Sequence, residues 1–285
     1  SPMNSTDTCI DIAASNVTLD GNSKIINGPG SSSATFGVLV EDTANKVILV
    51  DLTAEHFGQG VHVNGPNAST DNVTTTFNKK GIVVNGRNAF LIEEGSISDD
   101  LAGIQVNPAA TNFVMVDGGV QGAGGAGIFL NGANGAFISN AVAEGDGTFG
   151  IWLKSASDNV IVGFIAEDNA IAGIYLGCNP NGLSGQPCPA GEAYSNGNSL
   201  TGSAYAGPGM SGENSVVSNT ASPARQHFGV AVDLGNLHNH FTGITGTGNT
   251  LEDAADGNGC GSNRWFGNDF THTSPPKNTS FFCLN

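Results

Sequence analysis

The chain has 285 residues, 42 of them Gly and 32 Asn, with a net charge of −16 although only 12% of residues are charged. Leu, Lys and Glu are scarce, which excludes a helical bundle or coiled coil. No apolar run reaches membrane-spanning length, while 39% hydrophobic residues suffice for a core and exclude disorder.

In chain order, the first apolar alternation is Cys9-Ile-Asp-Ile. A repeated unit follows, a Gly and then apolar, any, apolar. It reads Gly37-Val-Leu-Val, Gly60-Val-His-Val, Gly81-Ile-Val-Val, Gly103-Ile-Gln-Val, Gly127-Ile-Phe-Leu, Gly150-Ile-Trp-Leu, Gly173-Ile-Tyr-Leu and Gly229-Val-Ala-Val. The spacings are 23, 21, 22, 24, 23, 23 and then 56. Second strands follow many units, often after an Asn, as at Asn16, Asn112, Asn159 and Asn214. The apolar period of two excludes a helical repeat. The return of one strand type each period demands parallel stacking, one coil per repeat. The Gly suits a corner that needs positive φ or lacks room for a Cβ. Asn64, Asn85, Asn107 and Asn131 share one offset and are expected to form an amide ladder.

This pattern resembles the right-handed parallel β-helix proteins of the pectin-lyase-like type, over about residues 9–270. The resemblance implies the right hand of the coil. The expected fold is all-β, a single domain over residues 1–285 with about 9–10 coils. One long loop insertion at about 177–213 accounts for the spacing of 56, and a disulfide-tied aromatic cap spans about 257–285. Cys178 and Cys188 fall in the insertion, while Cys260 and Cys283 bracket Trp265, Phe266 and Phe270. Cys9 is left over. Two expected disulfides, with no zinc spacing, point to a secreted or periplasmic protein. The Ser1 end has no signal-peptide pattern, the expectation for a processed chain.

Two surfaces are candidates for chemistry. Two residues after each Gly the side chain should face outward, which puts Phe129, Trp152 and Tyr175 in an exposed row. With Lys154 and the insertion tyrosines Tyr194 and Tyr205, this row is the expected sugar-binding wall; the alternative is that the insertion folds back and buries the row as a satellite core. The second is an acidic edge before the Gly-led strands. There Glu144, Asp146, Glu167 and Asp168 pair as carboxylates suited to acid, base or nucleophilic work on a glycosidic bond, or else form a solvated acidic edge that keeps the rod soluble and blocks stacking of rods. They are also hard oxygen ligands for Ca²⁺, the one cofactor considered. His227 is a proton-transfer candidate.

Pectin-degrading hydrolases of this fold use an adjacent Asp pair, which Ser98-Asp99-Asp100-Leu101 superficially resembles, but their Gly-His-Gly and Arg-x-Lys elements are absent. Pectate lyases resemble the fold too and use a basic residue. The charge of −16 disfavours nucleic acid and polyanionic glycans, so a neutral polysaccharide or oligosaccharide is the expected partner, with no membrane insertion. The expected function is a carbohydrate-active β-helix, a glycoside hydrolase or polysaccharide lyase. The competing expectation is a non-catalytic β-helix for glycan binding, adhesion or surface structure.

Overall fold

The computed structural model describes residues 3–4, 8–92, 95–97, 99–178, 188, 192–201, 214–217, 226–247, 249–258 and 261–270. The described residues form strands and turns without helix, wound as a right-handed parallel β-solenoid. The Gly-led strands stack into a ten-stranded parallel sheet running from Ile10–Ile12 to Glu252–Asp256. All other strands join an eighteen-stranded sheet that covers two sides of the coil. Near the N-terminus one long strand spans both sides, as in Ile48–Glu55 and Ser69–Thr76. Farther along it divides into two short strands, such as Phe137–Ser139 and Val142–Glu144. The bend between these two arms falls on residues of positive φ, among them Asp51, Asn72, Asp117, Asn140 and Gly163. Asn, Asp and Gly tolerate this region best, which explains their abundance.

The core is a set of in-register stacks. Ile82, Ile104, Ile128, Ile151 and Ile174 are paired coil to coil and fully buried. Each contributes about 1.5–3 kcal/mol from burial, and β-branched side chains pack well on a pleated face.

The repeat Gly is there for lack of space. A Cβ on Gly37 would lie 2.5 Å from the carbonyl oxygen of Gly60, and one on Gly81 would lie 2.3 Å from that of Gly103. The Gly and the residue after it both face the interior, so strict alternation breaks at the Gly. The side chain just before the Gly therefore points outward: Gln59 and Lys80 are half-buried on that outer face.

Amide ladders close the corners. The expected one is present: Asn85 Nδ2 donates to Asn64 Oδ1 at 2.7 Å, Asn107 to Asn85 at 2.8 Å and Asn131 to Asn107 at 3.4 Å. A buried ladder runs through Asn159, Asn198, Asn239 and Asn263, each Nδ2 reaching the next Oδ1 at 2.9–3.1 Å.

The insertion is not one uninterrupted loop. Ser199–Thr201 is a strand inside the segment 177–213, paired with Val160–Val162 and His240–Thr242. Three residues, Ser-Leu-Thr, are too short to signal a strand by alternation. Asn214–Val217 is a strand, as expected, but it lies on the other arm, and the place expected for it in the Asn159 series is taken by Ser199–Thr201. Cys178 and Cys188 form a disulfide, and Cys9 is a free thiol. At the C-terminal end Trp265 stacks on Phe241 at 4.1 Å and its Nε1 donates to Asp256 Oδ2 at 3.1 Å. Cys260 and Cys283 lie outside the described residues.

Candidate functional site

Three groups of side chains bear on function, two on one face and the third on another. On the outer face of the ten-stranded sheet, the break at the repeat Gly brings Gln59 and His62 together. His62 Nδ1 lies 2.6 Å from Gln59 Oε1, and its Nε2 lies 2.7 Å from Asn64 Oδ1 and 2.9 Å from Asn85 Nδ2. Phe36 meets the imidazole edge-on at 5.1 Å. Lys80 is the register neighbour of Gln59 on the next coil. Burial pushes His62 below the ordinary histidine value, and the charge of Lys80 adds to the fall. Lys80 is itself lowered by burial and then by Lys79. Gln105, with Nε2 2.6 Å from Asn107 Oδ1, continues the polar row.

Farther along the same face stands the aromatic group. Phe129 stacks on Trp152 at 4.4 Å, and Phe149 stacks on Tyr175 at 4.4 Å. The expected exposed row is instead largely covered. Tyr175 and Phe149 are fully buried, and only Phe129 and Trp152 are half-buried. Their polar handles are spent: Trp152 Nε1 donates to Gly177 O at 2.7 Å and the Tyr175 hydroxyl to Asp233 Oδ2 at 2.5 Å. Phe149 was missed because it precedes a repeat Gly, where alternation fails. Lys154 pairs with Glu192 at 3.0 Å. Tyr194 packs over the turn at Gly235, where a Cβ would meet its ring. Tyr205 lies outside the described residues.

The carboxylates belong to the third side. Glu144 and Glu167 are register partners on the second arm of the eighteen-stranded sheet, both half-buried. Burial raises Glu167, and Asp168 and Glu144 raise it further. Asp168 occupies the adjoining turn at φ 54°. The structure thus joins Glu144, Glu167 and Asp168 but separates them from the aromatic face by a turn. Asp146, in that turn, is only 1% exposed. Its Oδ1 accepts from Ala123 N at 2.9 Å and its own N–H donates to Asn169 Oδ1 at 3.0 Å, so it is a rung of a buried corner ladder. His227 is exposed in the turn before Phe228–Val232. Among the described residues, no group of three or more His, Cys, Asp and Glu side chains is placed to hold a metal ion. No helix among the described residues is long and apolar enough to cross a membrane.

Comparison with known proteins follows the fold. The family profile described as "Right handed beta helix region" matches residues 59–221. A search of curated protein sequences finds no match. Among solved structures, the mannuronan C-5 epimerase A-module of Azotobacter vinelandii is similar at TM-score 0.63 and 17% identity, covering 97% of this chain and 83% of that one. A pectate lyase is similar at TM-score 0.59 and 14% identity, covering 93% and 68%. An alginate lyase of a Paenibacillus species is similar at TM-score 0.51 and 14% identity, covering 89% of each chain.

Proposed function

The chain belongs to the right-handed β-helix family, and from that premise we propose that it is an extracytoplasmic carbohydrate-active protein that binds a glycan along the outer face of the ten-stranded sheet and cleaves it by β-elimination. The observation that carries this reading is the His62–Gln59–Lys80 group, half-buried within a hydrogen-bonded amide row. The solved structures named as epimerase and lyases on the same fold support the substrate class by analogy. The disulfide at Cys178–Cys188 supports an oxidising compartment.

Elimination from a uronate begins with removal of the proton next to its carboxylate. Neutral His62 accepts that proton, the electron pair forms a ring double bond, and the glycosidic C–O bond breaks. The leaving oxygen takes a proton from solvent water and departs as a hydroxyl, and the His62 imidazolium returns its proton to the hydroxide so formed. Lys80, with Lys79 beside it, offsets the charge that develops on the carboxylate. Lys79-Lys80 is the one adjacent basic pair in the sequence. The global charge of −16 argues against an anionic substrate at long range, but screening within about 8 Å leaves contact to local charge. Phe129 and Trp152 supply the half-buried apolar rim of the same face.

The lowered His62 and Lys80 predict the pH profile of turnover. The acid limb falls below the ordinary histidine value, because His62 stays neutral to lower pH. The alkaline limb falls below the ordinary lysine value, because Lys80 discharges early.

A second reading rests on Glu144 and Glu167. Their strands are about 4.8 Å apart, near the separation of about 5–5.5 Å used by retaining glycosidases. Glu167, raised by burial, is then the acid and Glu144 the nucleophile. Asp168 keeps the proton on Glu167, while Asp146 stays in the frame.

A soluble glycan panel separates the readings. Elimination gives an ultraviolet-absorbing unsaturated product, lost at least about a hundredfold in His62→Ala or Lys80→Ala. Reducing ends without that absorbance, lost in Glu167→Gln, would establish hydrolysis. Binding without turnover would leave a non-catalytic glycan-binding rod.

A further inference from the structure

A second face carries an apolar strip that the proposed reaction does not use. Phe90, Val114, Phe137 and Val160 hold one register position on four consecutive coils, on the first arm of the eighteen-stranded sheet. Phe90, Phe137 and Val160 are 37%, 40% and 38% exposed. The next outward row on these strands, from Ile92 to Val162, adds no charged side chain. The fold does not require apolar residues here. On other coils the same position holds Thr18, Ser69, Ser199, His240 and Arg264, with Ile48 the one further apolar residue, set apart from the strip by Ser69.

Exposed amides fringe the strip on both sides. Asn88 Nδ2 donates to Asn67 Oδ1 at 2.9 Å, and Asn112 Nδ2 to Asn88 Oδ1 at 3.0 Å. Across the strip Asn140 Nδ2 donates to Asp117 Oδ1 at 2.8 Å. Each amide has a second N–H beyond the one its ladder uses.

We propose that this strip is a second glycan-binding face, fitted to the surface of an uncharged polysaccharide. Apolar ring faces match the C–H faces of pyranoses, and the amide fringe matches their hydroxyls. Two coils separate Phe90 from Phe137, about 10 Å, commensurate with every second ring of an extended β-1,4-linked chain. Neither outward row of the strip carries a charged side chain, and the flanking turns hold charges of mixed sign, Arg87 against Asp117 and Asp158, which favour neither an anionic nor a cationic partner. A second copy fits less well. The strip spans roughly 15 Å along the rod, well short of the ~800 Å² per partner that a stable interface needs, and two chains of −16 repel around it.

The inference stands apart from the elimination site, and one experiment distinguishes their failures. The full chain is sedimented with cellulose, chitin and β-1,3-glucan particles, and turnover is measured separately on soluble glycans. Wild type binds at least one of these polymers, and Lys80→Ala binds equally. The double variant Phe90→Ala/Phe137→Ala binds about tenfold more weakly, with unchanged circular dichroism and unchanged soluble turnover. Absence of binding by wild type, or undiminished binding by the double variant, overturns the proposal. So does a wild-type dimer, seen by sedimentation velocity, that Phe137→Lys converts to monomer.

Discussion

At Asp146 a carboxyl stands where the neighbouring coil uses an amide. Asn169 spends its Oδ1 on Asp146 N–H and its Nδ2 on Ala143 O at 3.1 Å. Asp146 Oδ1 does the equivalent work toward Ala123, but its Oδ2 is buried without a partner. Burial holds this carboxyl well above the usual range, with Glu144 adding to the rise. A carboxyl raised in the folded state contributes stability below its unfolded value, and that contribution is lost as pH climbs through the folded value. Asp146→Asn, able to donate as Asn169 does, should therefore match wild type in acid and exceed it by about 1–3 kcal/mol at neutral and alkaline pH. Melting temperature against pH for both proteins checks this, and parallel curves would contradict it. The same residue shows how far the sequence could be read. Spacing placed Asp146 correctly before a Gly-led strand, but spacing does not distinguish a corner rung facing inward from an edge carboxylate facing water. His62 was legible as outward-facing, whereas Gln59 and Lys80 were not, because the alternation that locates outward residues breaks at the Gly between them.

Among the elements, strands and corners make different demands. Gly-led strands were legible because a missing Cβ and an in-register aliphatic pair leave a period in the sequence. Gly150→Ala tests that reading. Its Cβ would lie 2.6 Å from Asn169 Nδ2 and 2.7 Å from Gly173 O, and the backbone carbonyl has nowhere to go. A loss of about 1–3 kcal/mol in chemical unfolding is expected. The corner ladders were half legible: Asn64 to Asn131 keep a fixed offset, but Asn159 and Asn198 are interrupted by the insertion. Asn198 is fully buried and also donates to Ala156 O at 2.9 Å. Asn198→Ala should cost about 1–3 kcal/mol by stranding its partners, whereas Asn88→Gly, which removes the exposed rung but tolerates its φ of 54°, should change stability by no more than about 0.5 kcal/mol. Equal losses would mean that burial does not set the worth of a rung.

For the whole molecule, stacking fixes which side chains share a face, and three faces emerge. The ten-stranded sheet presents His62 and Lys80 together with the aromatic group. One arm of the eighteen-stranded sheet presents the apolar strip, and the other presents Glu144 and Glu167. The sequence conveyed the coil and its acidic character. It did not convey that a corner divides the acidic edge from the aromatic row, because the linear distance from Glu144 to Trp152 says nothing about the turn between them. In the proposed reaction the glycan lies over His62 and Lys80. A crystal structure of Lys80→Ala, slowed in turnover, soaked with an oligosaccharide that the wild type cleaves tests this placement. Sugar density is expected to cross the outer face of the ten-stranded sheet, with a ring carbon within proton-transfer reach of the His62 imidazole. Density with the scissile bond over Glu144 and Glu167 would contradict it.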